Sequence, residues 1–167
     1  YCEPAFSAIN IVPEAANLCV LRGLSKAYQL GGLRLGYAIA DPQADACVGS
    51  VIADGQVAAL SLRLGASVLA LGDIAGRLRE RIALHRPVVV SLLADLGIDC
   101  SWTAAPLPYV FVDDLETAPD LLQRRGVIGK RHVSWPGAAG VAAQRFRLSV
   151  PLLPERLEAL RRRLGPH

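Results

Sequence analysis

Residues Asn17 to Ala40, NLCVLRGLSKAYQLGGLRLGYAIA, are the stretch on which the fold turns. Two apolar runs, 18–24 and 35–40, are bounded by turn-forming residues and read as strands. Between them Ser25 and Lys26 make a tight turn, and Gly31 and Gly32 close a short helical or irregular excursion. A lysine delivered from the end of a buried strand can hold an aldehyde as a Schiff base. An arginine eight residues later, beside a glycine pair, can serve as the counter-ion of a phosphate.

An aldehyde and a phosphate held by one turn describe a pyridoxal-phosphate site. The run Gly23-Leu24-Ser25-Lys26-Ala27-Tyr28-Gln29-Leu30-Gly31-Gly32-Leu33-Arg34-Leu35-Gly36-Tyr37 resembles the active-site lysine signature of the aspartate-aminotransferase superfamily, the class I/II aminotransferases of fold type I. That signature is written S-[LF]-S-K-x-[FY]-x-[LM]-x-G-x-R-x-G-[YF]. Gly23 alone departs from it, standing where the pattern carries a Ser or Thr whose hydroxyl helps hold the cofactor phosphate. The resemblance implies that Lys26 carries pyridoxal 5′-phosphate and that Ser25 and Arg34 bind the phosphate.

Within the superfamily the chain is similar to histidinol-phosphate aminotransferases and threonine-phosphate decarboxylases. The spacing from Tyr1 to Lys26 then implies that Tyr1 bonds the pyridine 3-oxygen. The aspartate that pairs with the ring nitrogen would lie three residues upstream of Tyr1, beyond the sequence. Residues 1–10 also offer no helix cap, no start methionine and no strand able to stand alone. The expectation is the C-terminal portion of a larger enzyme, whether a fragment, a nicked chain or half of a split protein. Its partner would be the missing N-terminal half, and the family resemblance implies a homodimer.

At 167 residues and 52 % hydrophobic content the chain has ample material for a packed core. The longest apolar stretch, 57–71, is broken by Arg63, so it falls short of a bilayer span, and no membrane association is expected. The four cysteines, Cys2, Cys19, Cys47 and Cys100, form no C-x-x-C pair, which argues against a zinc site or a disulfide scaffold and for a reduced, cytoplasmic setting. The net charge of +3 comes mostly from arginines clustered around 77–86 and 156–163. No aromatic residues interleave with them, so they read as solvated helix faces rather than a nucleic-acid surface. Lys26 and Lys130 are the only lysines, which nearly fixes the choice of Schiff-base residue.

Beyond the opening stretch, Asp41-Pro42 is a helix start with an Asp cap and Pro in the first turn. A second helical run ends near Leu71, and Asp73 caps a third with Ile74, Leu78 and Ile82 on one face. Pro87 is expected to interrupt and kink that helix, which places a domain boundary there. Residues 1–86 would be the C-terminal part of a pyridoxal-phosphate-binding large domain, a mixed sheet with covering helices, and 87–167 a small α+β domain. Gly97 suits the helix end. Short strands are expected at 98–102, 109–112, 127–131 and 145–150, with helices at 118–125 and 154–164.

Phe146-Arg147-Leu148-Ser149 stands where the family carries the arginine that grips the substrate α-carboxylate, a role that suits the guanidinium fork. Lys130, Arg131 and His132 could meet a substrate phosphate or acidic tail, or simply defend an edge strand. His85 is expected merely to lie on a helix face. The function implied is a pyridoxal-phosphate-dependent aminotransferase acting on amino and keto acids. Decarboxylation or β/γ-replacement on the same fold, or a non-catalytic partner domain, are the alternatives.

Overall fold

The computed structural model describes residues 5, 7–15, 17–52, 55–103, 106–133 and 144–165. Tyr1, Cys2, residues 134–143 and His167 lie outside the described residues. The chain divides into two compact units, Tyr1–Arg77 and Leu78–His167. The fold is α/β, with helices and sheets in both units.

In the first unit the opening stretch folds as an antiparallel pair. β1 (Cys19–Gly23) and β2 (Gly36–Ala40) run in the register Cys19↔Ala40, Leu21↔Ala38 and Gly23↔Gly36. A 3-10 segment, Ala8–Glu14, precedes them and buries Val12. α1 (Pro42–Gly49) starts as its sequence requires, with Asp41 Oδ1 accepting from Gln43 N at 2.8 Å and Ala44 N at 3.3 Å. α2 (Ala59–Leu69) follows. Its Gly65 is buried so closely that a Cβ there would lie 2.3 Å from Leu35 Cδ2 and 3.3 Å from Leu24 Cδ1. α2 thus seats at Gly65 against the side-chain ends of the two leucines that flank the Ser25–Arg34 loop.

α3 (Ile74–Ala94) begins where Asp73 Oδ1 accepts from Gly76 N at 2.7 Å, and the division between the units falls within it. Pro87 does not end this helix, contrary to the expected interruption. Proline removes one backbone donor, but Ile82, His85, Val89 and Leu93 form a buried stripe on both sides of it, and tertiary packing overrides the local cost. α3 ends at Ala94, and the turn that follows closes at Gly97, whose φ of +71° is readily adopted without a Cβ, with Ile98 N bonded to Leu93 O at 3.0 Å.

The second unit is a four-stranded antiparallel sheet in the order β3-β4-β6-β5, built from Cys100–Ser101, Tyr109–Val112, Gln144–Ser149 and Lys130–Val133 respectively. α4 (Ala118–Arg124) and α5 (Pro154–Leu164) complete it. Period-two alternation sends Val110, Val112, Phe146 and Leu148 into one core with Val89 and Leu93 of α3, Leu122 of α4, and Leu157 and Leu164 of α5.

Two side chains of α3 depart from the expected solvated face. His85 is buried, its Nδ1 2.7 Å from Pro151 O, where it ties α3 to the segment before α5. Arg86 is half-buried and donates from Nη2 to Leu107 O at 2.6 Å; burial lowers its pKa. Among the described residues no single helix is long and apolar enough to cross a membrane, and no group of three or more His, Cys, Asp or Glu could hold a metal ion.

Candidate functional site

The loop between β1 and β2 is closed at its base by Leu24 N donating to Leu35 O at 3.2 Å. Leu24 is 1 % exposed, so a buried side chain anchors the residue just before Ser25 and Lys26. The chain then turns back on itself, with Leu30 N bonded to Leu24 O at 3.1 Å and Gln29 N to Lys26 O at 3.2 Å. The Gly31–Leu33 3-10 turn returns it to β2. These bonds draw Ser25, Lys26 and Arg34 into one compact loop.

Two residues of that loop are left-handed without being glycine, Gln29 at φ 56° and Arg34 at φ 50°. Each such residue costs on the order of 1 kcal/mol or more, and is kept only where its surroundings fix it. Arg34 also turns its Nη1 toward Gly31 O at 3.4 Å. Lys26 and Arg34 are exposed, and Ser25 is half-buried.

The chemistry of the donor set suits a phosphate ester carrying an aldehyde. From Asn17 to Ala40 the chain holds Arg22, Lys26 and Arg34 and no carboxylate, so nothing in the loop's own sequence repels a dianion. A Cβ added at Gly23 would meet nothing within 4 Å, so the hydroxyl absent there is not excluded by lack of space. Within the loop the Tyr28 phenol is pushed above its ordinary pKa. Burial is the largest cause, followed by Tyr37 and Asp73, with Arg22 pulling the other way.

The second candidate, Arg147, lies on β6 in the second unit. It pairs across the sheet with Phe111 of β4 on one side and Lys130 of β5 on the other. Directly opposed residues share a face, and that face is the one turned away from the core. Two arginines stand on it with different surroundings. Arg145 is ion-paired, Nε to Asp113 Oδ1 at 3.1 Å, with its Cζ 5.8 Å from the Phe111 ring centroid. Arg147 is half-buried with its Cζ only 4.2 Å from the Tyr109 ring centroid, and among the described residues no carboxylate pairs with it.

The basic trio is separated by the same alternation. Lys130 pairs with Arg147, whereas Arg131 pairs with core residue Phe146 and donates from Nη2 to Leu115 O at 3.4 Å. Sequence reasoning had no means of finding Tyr109 under Arg147. The signal available was the alternation Tyr109-x-Phe111 and Arg145-x-Arg147, which becomes informative only once the strand register is known.

The fold is that of a pyridoxal-phosphate-dependent transferase. The profile described as Aminotransferase class I and II matches residues 2–164, and the chain belongs to that family. It is 37 % identical over 140 residues to histidinol-phosphate aminotransferase 1 of Legionella pneumophila (strain Lens), covering 84 % of this chain and 35 % of that protein. It is 30 % identical over 118 residues to the aromatic amino acid aminotransferase of Rhodococcus erythropolis, covering 71 % of this chain and 33 % of that protein. Among solved structures, histidinol-phosphate aminotransferase from Sinorhizobium meliloti in complex with pyridoxal-5′-phosphate superposes with a TM-score of 0.63 at 22 % identity, over 91 % of this chain and 41 % of that one. The chain thus spans about a third of the length of the curated relatives it matches.

Proposed function

We propose that this chain is the lysine- and arginine-bearing C-terminal portion of a pyridoxal-phosphate-dependent aminotransferase that acts on amino and keto acids. The observation that carries the reading is the closed, acid-free loop that presents Lys26 between β1 and β2. Pyridoxal phosphate, when bound, supplies the aldehyde that takes an amine and the ring that accepts the electrons left on Cα. Lys26 Nζ would hold the aldehyde and would be the group that moves the proton at the substrate Cα. Ser25 and Arg34 hold the phosphate, and Tyr1, outside the described residues, bonds the ring oxygen. Arg147 receives the substrate carboxylate, because a guanidinium fork with no acidic partner among the described residues can grip one bidentately.

The functional division is proposed at 86/87, with the large-domain portion before it and the small domain after. The remaining polypeptide, a little over half of a relative's length, is proposed to complete the first unit, and the active form to be a cytoplasmic homodimer.

The test is made on the complete polypeptide loaded with pyridoxal phosphate. Lys26→Ala is expected to abolish the absorbance band of the lysine-bound cofactor, and a variant that keeps the band ends the assignment. Release of a keto acid with 2-oxoglutarate as acceptor identifies transamination. Release of carbon dioxide, or exchange of a side-chain group, moves the reading to decarboxylation or β/γ-replacement.

A further inference from the structure

We infer that Tyr109 is a positioning residue for Arg147, holding its guanidinium through the aromatic face so that the N–H donors stay available for the substrate carboxylate. The inference rests on the carboxylate role proposed above for Arg147. It starts from the contrast between the two arginines of β6. A carboxylate partner consumes guanidinium donors, as Asp113 does for Arg145 at 3.1 Å. An aromatic ring attracts the charge through its electron-rich face and takes no N–H.

At 4.2 Å the Arg147 Cζ lies well within cation–π range of the Tyr109 centroid, closer than Arg145 lies to Phe111 at 5.8 Å. The register places Tyr109 opposite Ser149 and Phe111 opposite Arg147, so Tyr109 is the diagonal neighbour, within the reach of an aromatic side chain.

The ring has a rigid base. Val110 and Val112, on either side of Phe111, are 0 % exposed, and Val150 N donates to Pro108 O at 2.9 Å just ahead of Tyr109. A strand fixed on its core side holds the ring still on the other. Arg147 is fixed in the same way by Phe146 and Leu148, both buried. The stack therefore joins two side chains whose strands are packed into the core, and it reduces the rotamer freedom the arginine would otherwise lose on gripping a ligand.

The experiment uses the complete, cofactor-loaded polypeptide and two unreactive probes, 3-phenylpropanoate and 3-phenylpropanamide, titrated by calorimetry. They differ only in the carboxylate. Tyr109→Leu is expected to weaken binding of the acid by about two- to tenfold, the range of a partly desolvated cation–π contact. Binding of the amide should stay unchanged, and Tyr109→Phe should restore the acid. KM for the amino-acid substrate should rise with Tyr109→Leu while kcat stays close to its starting value.

Arg147→Gln is the control and should erase the preference for acid over amide. If that preference survives in Arg147→Gln, the carboxylate role of Arg147 fails and the inference falls with it. If Arg147→Gln erases it but Tyr109→Leu leaves it intact, or weakens both probes equally, the positioning role alone is overturned. Tyr109→Val, suited to a strand by its β-branch, gives the same reading should the leucine variant not fold.

Discussion

The second unit buries its apolar side chains against one another, while the first leaves nearly half of its described large ones in solvent and fully buries few. In the second, β4 and β6 put every inward residue into a core closed by α3, α4 and α5. In the first, Leu21 on β1 is 78 % exposed and Val51 79 %, and Leu60, Leu62, Leu64, Leu69 and Leu71 along α2 and its end are exposed too. Val12 and Leu24 are the only large apolar side chains buried there among the described residues. A two-stranded sheet is marginal in water without further strands or a packed face. The difference teaches that the unit presenting Lys26 leaves apolar surface open to cover, consistent with relatives more than twice as long as this chain. The unit presenting Arg147 is closed on its own.

The largest effect should come from testing that contrast directly. Leu93 is fully buried in the second unit, and Leu93→Ala is expected to cost about 2–5 kcal/mol, read by urea unfolding. Leu21→Ala in this 167-residue chain should stay within about 0.5 kcal/mol, because its side chain already meets water. In the complete polypeptide the same Leu21→Ala change should rise to about 2 kcal/mol or more. Equal, small effects of Leu21→Ala in both settings would break the idea that the first unit is covered.

Glycine substitutions sharpen the comparison at a smaller scale. A Cβ at Gly129, beside β5, would lie 2.3 Å from the Phe146 ring and 2.9 Å from Arg147 O, a rigid ring and a backbone atom. Gly129→Ala should therefore cost about 1–3 kcal/mol, as overpacking does. At Gly65 the Cβ would meet the flexible end of Leu35 at 2.3 Å, and the helix gains by up to about 1 kcal/mol when glycine becomes alanine. Gly65→Ala should come out near neutral by thermal unfolding. A large loss there would mean that the loop base is as tightly packed as the second unit's core.

The two regions also differ in how far their sequence could be read. Ser25, Lys26 and Arg34 are neighbours in the chain, so one motif holds the whole loop and its strands. The closure of the loop by Leu24 and Leu35, and its seating on Gly65, were not visible, because α2 reaches it from thirty or more residues away. In the second unit α5 is legible at its observed span, Pro154–Leu164, and β4 at 109–112, but the strand expected at 127–131 lies at Lys130–Val133 and that expected at 98–102 is only Cys100–Ser101. What decides the site there is register. Only the pairing of β4 with β6 shows that Arg145 is neutralised by Asp113 while Arg147 rests on Tyr109. Pro87 misled in the other direction, since a helix rule was outweighed by the buried stripe running through it.

The smallest expected effect concerns a device that needs no cover at all. Ahead of α4, Asp114 Oδ1 accepts from Glu116 N and Thr117 N, each at 2.9 Å, and Oδ2 accepts from the Thr117 hydroxyl. The Thr117 side-chain bond first, and the backbone bonds after it, hold the carboxyl below its ordinary pKa. A depressed folded-state pKa means the charged form favours the fold. That contribution is full above the unfolded value, about 3.9, and is lost as pH falls through the lower folded value. Asp114→Asn keeps an acceptor and removes the charge, so it should lower the melting temperature slightly at pH 7. The gap to the unaltered chain should close as acid protonates Asp114. Because the device lies wholly within the second unit, the change should be the same in this chain as in the complete polypeptide, unlike that at Leu21. A gap that persists unchanged in acid would show that the hydrogen-bond geometry, and not the charge, is what steadies the start of α4.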